Sequence, residues 1–96
     1  SKVIKMNEFI EMGINNSYLV MTGKYSIEEL VEDNHNKLNP TIFFTSPENY
    51  TIKDIDEMIE HFETTEEYEK CMELVYIQND MRVKNLIKEK IWKRNF

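Results

Sequence analysis

Alanine is absent from this 96-residue chain, although it is ordinarily among the commonest residues. Asparagine occurs ten times and isoleucine eleven. Alanine needs GC-rich codons, whereas Asn, Ile and Lys use AT-rich ones. The composition therefore fits an AT-rich genome, as in many bacteriophages and low-GC bacteria. Only two glycines and two prolines are present, which argues against a long disordered tract. A single cysteine, Cys71, excludes an internal disulfide and fits a reducing, cytoplasmic setting, the host cytoplasm for a viral protein. No apolar run approaches the roughly 18 residues of a membrane span, so no membrane partner is expected. The N-terminal SKVIKMNEF lacks an apolar core of the secretory type. No HExxH, cysteine pair or EF-hand loop occurs. The expectation is a chain with no catalytic residues, no cofactor and no metal site, and not an enzyme.

What the chain does have is charge, unevenly placed. Residues 1–80 carry seventeen acids and six basic residues, whereas residues 81–96 carry six basic residues and one acid. The whole is at −6. Such asymmetry marks a surface that meets something. With 41% hydrophobic and 31% charged residues, the composition is that of one small globular unit.

Local signals divide the chain into zones. Val3, Ile4, Phe9, Ile10 and Ile14 recur at mostly helical intervals. Gly13 suits the C′ position of a short helix ending at Met12, and Asn15-Asn16-Ser17 reads as a break or cap. The following Tyr18 to Met21 fits a helical turn or a strand equally. Ser26 and Glu29 form a capping box, with Ile27, Leu30 and Val31 on one face. The stretch from His35 to Pro40 reads as loop, and Thr41 to Thr45 (TIFFT) is the best strand candidate. Its Ile42, Phe43 and Phe44 are expected in the core. Pro47 suits a first helical position. Thr51 with Asp54 and Thr64 with Glu67 give two further capping boxes. Between them Ile52, Ile55, Ile59 and Phe62 make one apolar stripe. Tyr68, Cys71, Met72 and Val75, widened by Leu74 and Ile77, form the matching face of the next helix. Two helices joined by so short a turn pack as an antiparallel hairpin. Beyond it Val83, Leu86, Ile87 and Ile91 form the stripe of a basic amphipathic helix.

Met58, Glu67-Tyr68-Glu69-Lys70 and Glu73-Leu74, within residues 55–78, resemble the UVR motif, the short helical hairpin of certain excision-repair proteins. Cys71 and Met72 replace that motif's pair of small alanines, Val75 stands where it often has Arg, and the turn is about one residue longer. The resemblance covers about a quarter of the chain. It implies protein–protein contact or self-association through the hairpin, not catalysis, and nothing in it implies DNA repair.

Several side chains invite a chemical role. His61 lies one helical turn after Glu57, a spacing that places two ligands on one face, but His35 is the only other histidine and sits in the expected loop. The simpler reading puts His61 at the border of an acidic face. Cys71 has Glu67, Glu69 and Glu73 nearby in sequence, which oppose a thiolate. Its place in the stripe suits a buried core cysteine. The carboxylates of Asp56, Glu60, Glu63, Glu67 and Glu73 make either a solvated helix face or a surface for a basic partner. The latter includes an acidic nucleic-acid mimic that inhibits a DNA- or RNA-binding protein. The basic tail, with Arg82, Lys84, Lys88, Lys93, Arg94 and Trp92, admits phosphate contacts or docking on an acidic protein surface, its own or that of a second copy. Docking is favoured, since one Trp without interleaved aromatics is weak for base stacking.

The expected fold is mainly α: a small single-domain protein of four to five short helices, with at most a minimal β element near residues 41–45. A helix, loop and short-strand part (1–50) precedes an acidic αα-hairpin (51–80) and a basic amphipathic C-terminal helix (81–96). The expected function is that of a non-enzymatic interaction or accessory protein, plausible for a phage or low-GC bacterium. It would bind a larger protein partner through the hairpin or the tail, with a homodimer open. Direct nucleic-acid binding through the tail ranks lower, because the body is acidic.

Overall fold

The computed structural model describes residues 5–94. Val3 and Ile4, named above, lie outside them. The protein is all-α: 73% of the described residues are helical, in four helices, with no strand among them. These are α1 (Met6–Met21), α2 (Ile27–Asn36), α3 (Ile52–Thr64) and α4 (Tyr68–Arg94). The chain forms two compact units, parted between Tyr50 and Thr51.

In the first unit, α1 runs straight through the expected stop at Gly13 and the expected break at residues 15–17. The reason lies elsewhere in the chain. The segment Thr41–Thr45 forms no strand, because it has no strand to pair with, and it lies along α1. The Phe44 amide donates to the Gly13 carbonyl at 3.1 Å and to Ser17 Oγ at 3.0 Å. Asn16 Nδ2 donates to the Ile42 carbonyl at 2.9 Å. Ser17 Oγ also donates to the Thr45 carbonyl at 3.3 Å. The polar residues that looked like a helix break are the groups that satisfy an irregular segment's backbone. Gly13 supplies the closeness this needs: a Cβ there would stand 3.0 Å from the Phe44 nitrogen. Ile14, Ser17 and Tyr18 are buried, Phe9 and Ile10 exposed, and Ile42, Phe43 and Phe44 only half-buried. Pro47 opens no helix; it is the second residue of a turn closed by Asn49 N to the Ser46 carbonyl at 3.2 Å, a position its fixed φ suits.

Helix α2 starts at the Ser26–Glu29 capping box, with Glu29 N donating to Ser26 Oγ at 3.1 Å. It continues past His35, which is therefore helical rather than in a loop. Leu30 is its buried residue, while Val31 faces solvent.

The second unit is the helical hairpin. Thr51 and Asp54 cap α3 reciprocally, Asp54 N to Thr51 Oγ1 at 3.1 Å and Thr51 N to Asp54 Oδ2 at 2.9 Å. Ile55, Met58 and Phe62 are fully buried on α3, and Cys71, Leu74 and Gln78 are buried on α4. The two helices pack against each other. Gln78 Nε2 donates to the Ile52 carbonyl at 3.2 Å and Cys71 Sγ to the Ile59 carbonyl at 3.6 Å, which fixes an antiparallel register. Removing each large side chain from water stabilises this packing by about 1.5–3 kcal/mol.

Three helices end the same way. At the ends of α1, α2 and α3 a residue with positive φ (Gly23 at 74°, Leu38 at 58°, Glu66 at 58°) follows the C-cap. Its amide and the next one turn back to the last carbonyls: Gly23 N to Val20 O and Lys24 N to Leu19 O, Leu38 N to His35 O and Asn39 N to Asn34 O, Glu66 N to Glu63 O and Glu67 N to Phe62 O. This is the Schellman closure. Glycine suits the left-handed position, yet two of the three are built without it. The third expected capping box, Thr64 with Glu67, does not form. Thr64 belongs to α3, and its hydroxyl donates back to the His61 carbonyl at 2.6 Å. Thr65 Oγ1 bonds the Glu67 carboxylate instead.

Candidate interaction surface on the fourth helix

Helix α4 is a single 27-residue rod; the acidic hairpin arm and the basic tail are one element with no break at Asn79-Asp80. At 100° per residue its buried face runs through Cys71, Leu74 and Gln78, continued by the half-buried Ile77 and Met81. Tyr68, Met72 and Val75, expected to be buried against α3, are exposed, Met72 and Val75 at the edge of that contact. The helix is apolar on two opposite sides, and periodicity alone does not say which side the partner helix covers.

The outward side is long. Met72 and Tyr76 are 72% and 75% exposed, and Val83, Leu86, Ile87 and Ile91 are 51–55% exposed. Every described residue from Arg82 to Arg94 is exposed. Within the hairpin unit the tail stripe is thus not folded back on the acidic face of α3, because α4 carries it straight on past Gln78. A shallow apolar groove lined by Ile59, Cys71, Met72 and Val75 adjoins the stripe, with the exposed Glu63 at its edge.

Of the expected acidic face, Asp56, Glu60 and Glu63 stand exposed one helical turn apart on α3, and two of the five carboxylates also make side-chain bonds within the hairpin. Asp56 accepts a short hydrogen bond from buried Gln78, the polar core residue that the sequence signalled only by its place one turn after Leu74. Glu67 is tied to Lys70 at 2.7 Å and to Thr65. These two bonds, Lys70 first, hold its carboxyl below the usual range. Glu73 is half-buried, while Glu60 and Glu63 on α3 are exposed. Among the basic candidates, Lys84 pairs with Asp80 at 2.9 Å and Lys93 with Glu89 at 3.2 Å, both one helical turn apart. Arg82 donates to Asn79 Oδ1 at 3.3 Å. Lys88 and Arg94 face solvent, and Trp92 is 66% exposed.

Cys71 is a core cysteine. Burial, reinforced by the Glu63 and Glu67 carboxylates, pushes its thiol pKa up, opposite to what a nucleophile needs. His61 stacks edge-on against Phe62 with ring centroids 5.3 Å apart, and its Nε2 is buried without a hydrogen-bond partner. Among the described residues no three His, Cys, Asp or Glu side chains come together as metal ligands. No helix among them is long and apolar enough to cross a membrane. Comparison with protein-family models, curated proteins and solved structures finds no match to this chain.

Proposed function

We propose that this chain is a small non-enzymatic protein-interaction module whose working surface is the outward stripe of α4. One observation carries the reading: six large apolar side chains, Met72, Tyr76, Val83, Leu86, Ile87 and Ile91, stand exposed on the outward side of one helix. Exposed apolar surface of this kind marks an interaction site. An amphipathic helix offering anchors three and four residues apart is a recurrent recognition mode. The basic side chains around Val83–Ile91 and the acidic ones of the hairpin select the partner by charge. The likeness of residues 55–78 to the UVR hairpin fits such a role.

The test compares the full chain with a Val83→Glu/Leu86→Glu variant. Both sites are exposed, so the α3–α4 packing should survive, read as unchanged protection of the buried Cys71 thiol from labelling. A protein recovered on the immobilised chain from source-cell extract is purified and its affinity for both forms measured. Retention by the wild type and loss by the variant supports the reading. Equal binding by both forms overturns it. So does the absence of any protein association, or tight binding of a labelled DNA duplex that survives the variant and falls steeply between about 50 and about 200 mM salt.

A further inference from the structure

The outward face of α4 carries an exact heptad. Met72, Tyr76, Asn79, Val83, Leu86 and Lys90 follow one another at steps of four, three, four, three and four, the spacing of a two-helix seam. The charge along α4 as a whole reverses halfway. Residues 68–80 of α4 hold three acids and one lysine; residues 82–94 hold six cations and one acid. We propose that this face pairs with the same face of a second copy, antiparallel, around a two-fold axis near Met81. The proposal rests on the interaction-surface reading above and names the partner.

Three features select this occupant. A foreign helix of uniform charge would complement only one half of the seam, whereas the chain's own α4, reversed, complements both. Parallel pairing would set six cations beside six cations, so the charge excludes it. The layers also agree in register. Setting Tyr76 against Leu86 of the second copy places Asn79 against its Val83. The same register brings Glu69 opposite its Lys93 at each end. Every contact occurs twice, as a two-fold interface requires. Ile87 flanks the seam and extends its apolar width.

Sedimentation equilibrium of the full chain over a micromolar concentration series tests this. The wild type should be a dimer. Leu86→Glu should weaken it by about tenfold or more, as for a central apolar anchor. Glu69→Lys and Lys93→Glu should each weaken it several-fold, and the double variant should recover the wild-type constant. Both Lys93 variants lose the internal Glu89 pair, so recovery reports only the contact between copies. A wild-type chain that is monomeric throughout, or a double variant no better than the singles, overturns the pairing. Failure here is distinguishable from failure of the broader reading. A monomer whose purified protein partner is lost in Val83→Glu/Leu86→Glu refutes self-pairing alone; a monomer with no such partner refutes both.

Discussion

Replacing Gly13 by alanine sets two effects of opposite sign against each other. In the middle of a helix the change normally stabilises by about 1 kcal/mol, because alanine loses less backbone freedom on folding. Here the new Cβ would stand 3.0 Å from the Phe44 nitrogen and 3.3 Å from the Phe43 carbonyl carbon. Ordinary carbon contacts need roughly half an ångström more. The obstacle is backbone, not the end of a flexible side chain. That backbone is tied down by Phe44 N to Gly13 O at 3.1 Å, Phe44 N to Ser17 Oγ at 3.0 Å and Asn16 Nδ2 to Ile42 O at 2.9 Å. Retreat by half an ångström takes these bonds to the edge of useful geometry, at about 1 kcal/mol for each one lost. Overpacking of this kind costs about 1–3 kcal/mol. Subtracting the helix gain, Gly13→Ala should destabilise by about 1 kcal/mol. Urea unfolding followed by circular dichroism measures this, with Glu11→Ala, exposed on the same helix, expected neutral or slightly stabilising. A Gly13→Ala protein as stable as the wild type, or more so, would refute the argument that residues 42–45 are pinned to α1.

Glu66→Gly should stabilise the hairpin by about 0.5–1 kcal/mol, since glycine adopts the left-handed C′ conformation without strain; an unchanged or lower urea midpoint contradicts this. Gln78→Ala removes a buried donor that holds Ile52 O and Asp56 and should destabilise by about 1–3 kcal/mol, read as a lower midpoint for α3–α4 unfolding. Cys71 should react with a thiol reagent at pH 8 at least about tenfold more slowly in the folded chain than in urea, since burial both shields it and raises its pKa. Because the folded pKa is raised, stability should also fall as pH climbs above the unfolded thiol's value. Fast native labelling without unfolding would show the thiol to be accessible.

The parts of this fold that were legible in the sequence are those decided within a few residues. The Ser26–Glu29 and Thr51–Asp54 boxes need only their own side chains and form as expected. The Ile55 and Phe62 stripe likewise follows from helical spacing. The parts that were not legible depend on distant chain or on conformations without a residue signature. Gly13 looks like a stop signal because nothing local shows that Phe44 will lie on it. Leu38 and Glu66 hide helix ends because they take a position for which glycine is the usual marker. The α4 surface was half legible: Val83, Leu86, Ile87 and Ile91 stood out as a stripe, but Met72 and Val75 were assigned to the core. On a helix apolar on both sides, only the position of α3 decides between Leu74 and Val75.

The unbroken length of α4 has a consequence for how order is distributed in the molecule. Its last turns run on beyond Gln78 with every described residue from Arg82 exposed, and a helical segment of that length with so little burial is marginal in water. Under the proposed pairing, backbone order in the tail and occupancy of its stripe would be two sides of one equilibrium. Amides from Arg82 onward should exchange quickly in dilute solution and slow down as the stripe is covered. The tail would act as a gauge of its own engagement, with helicity as the scale.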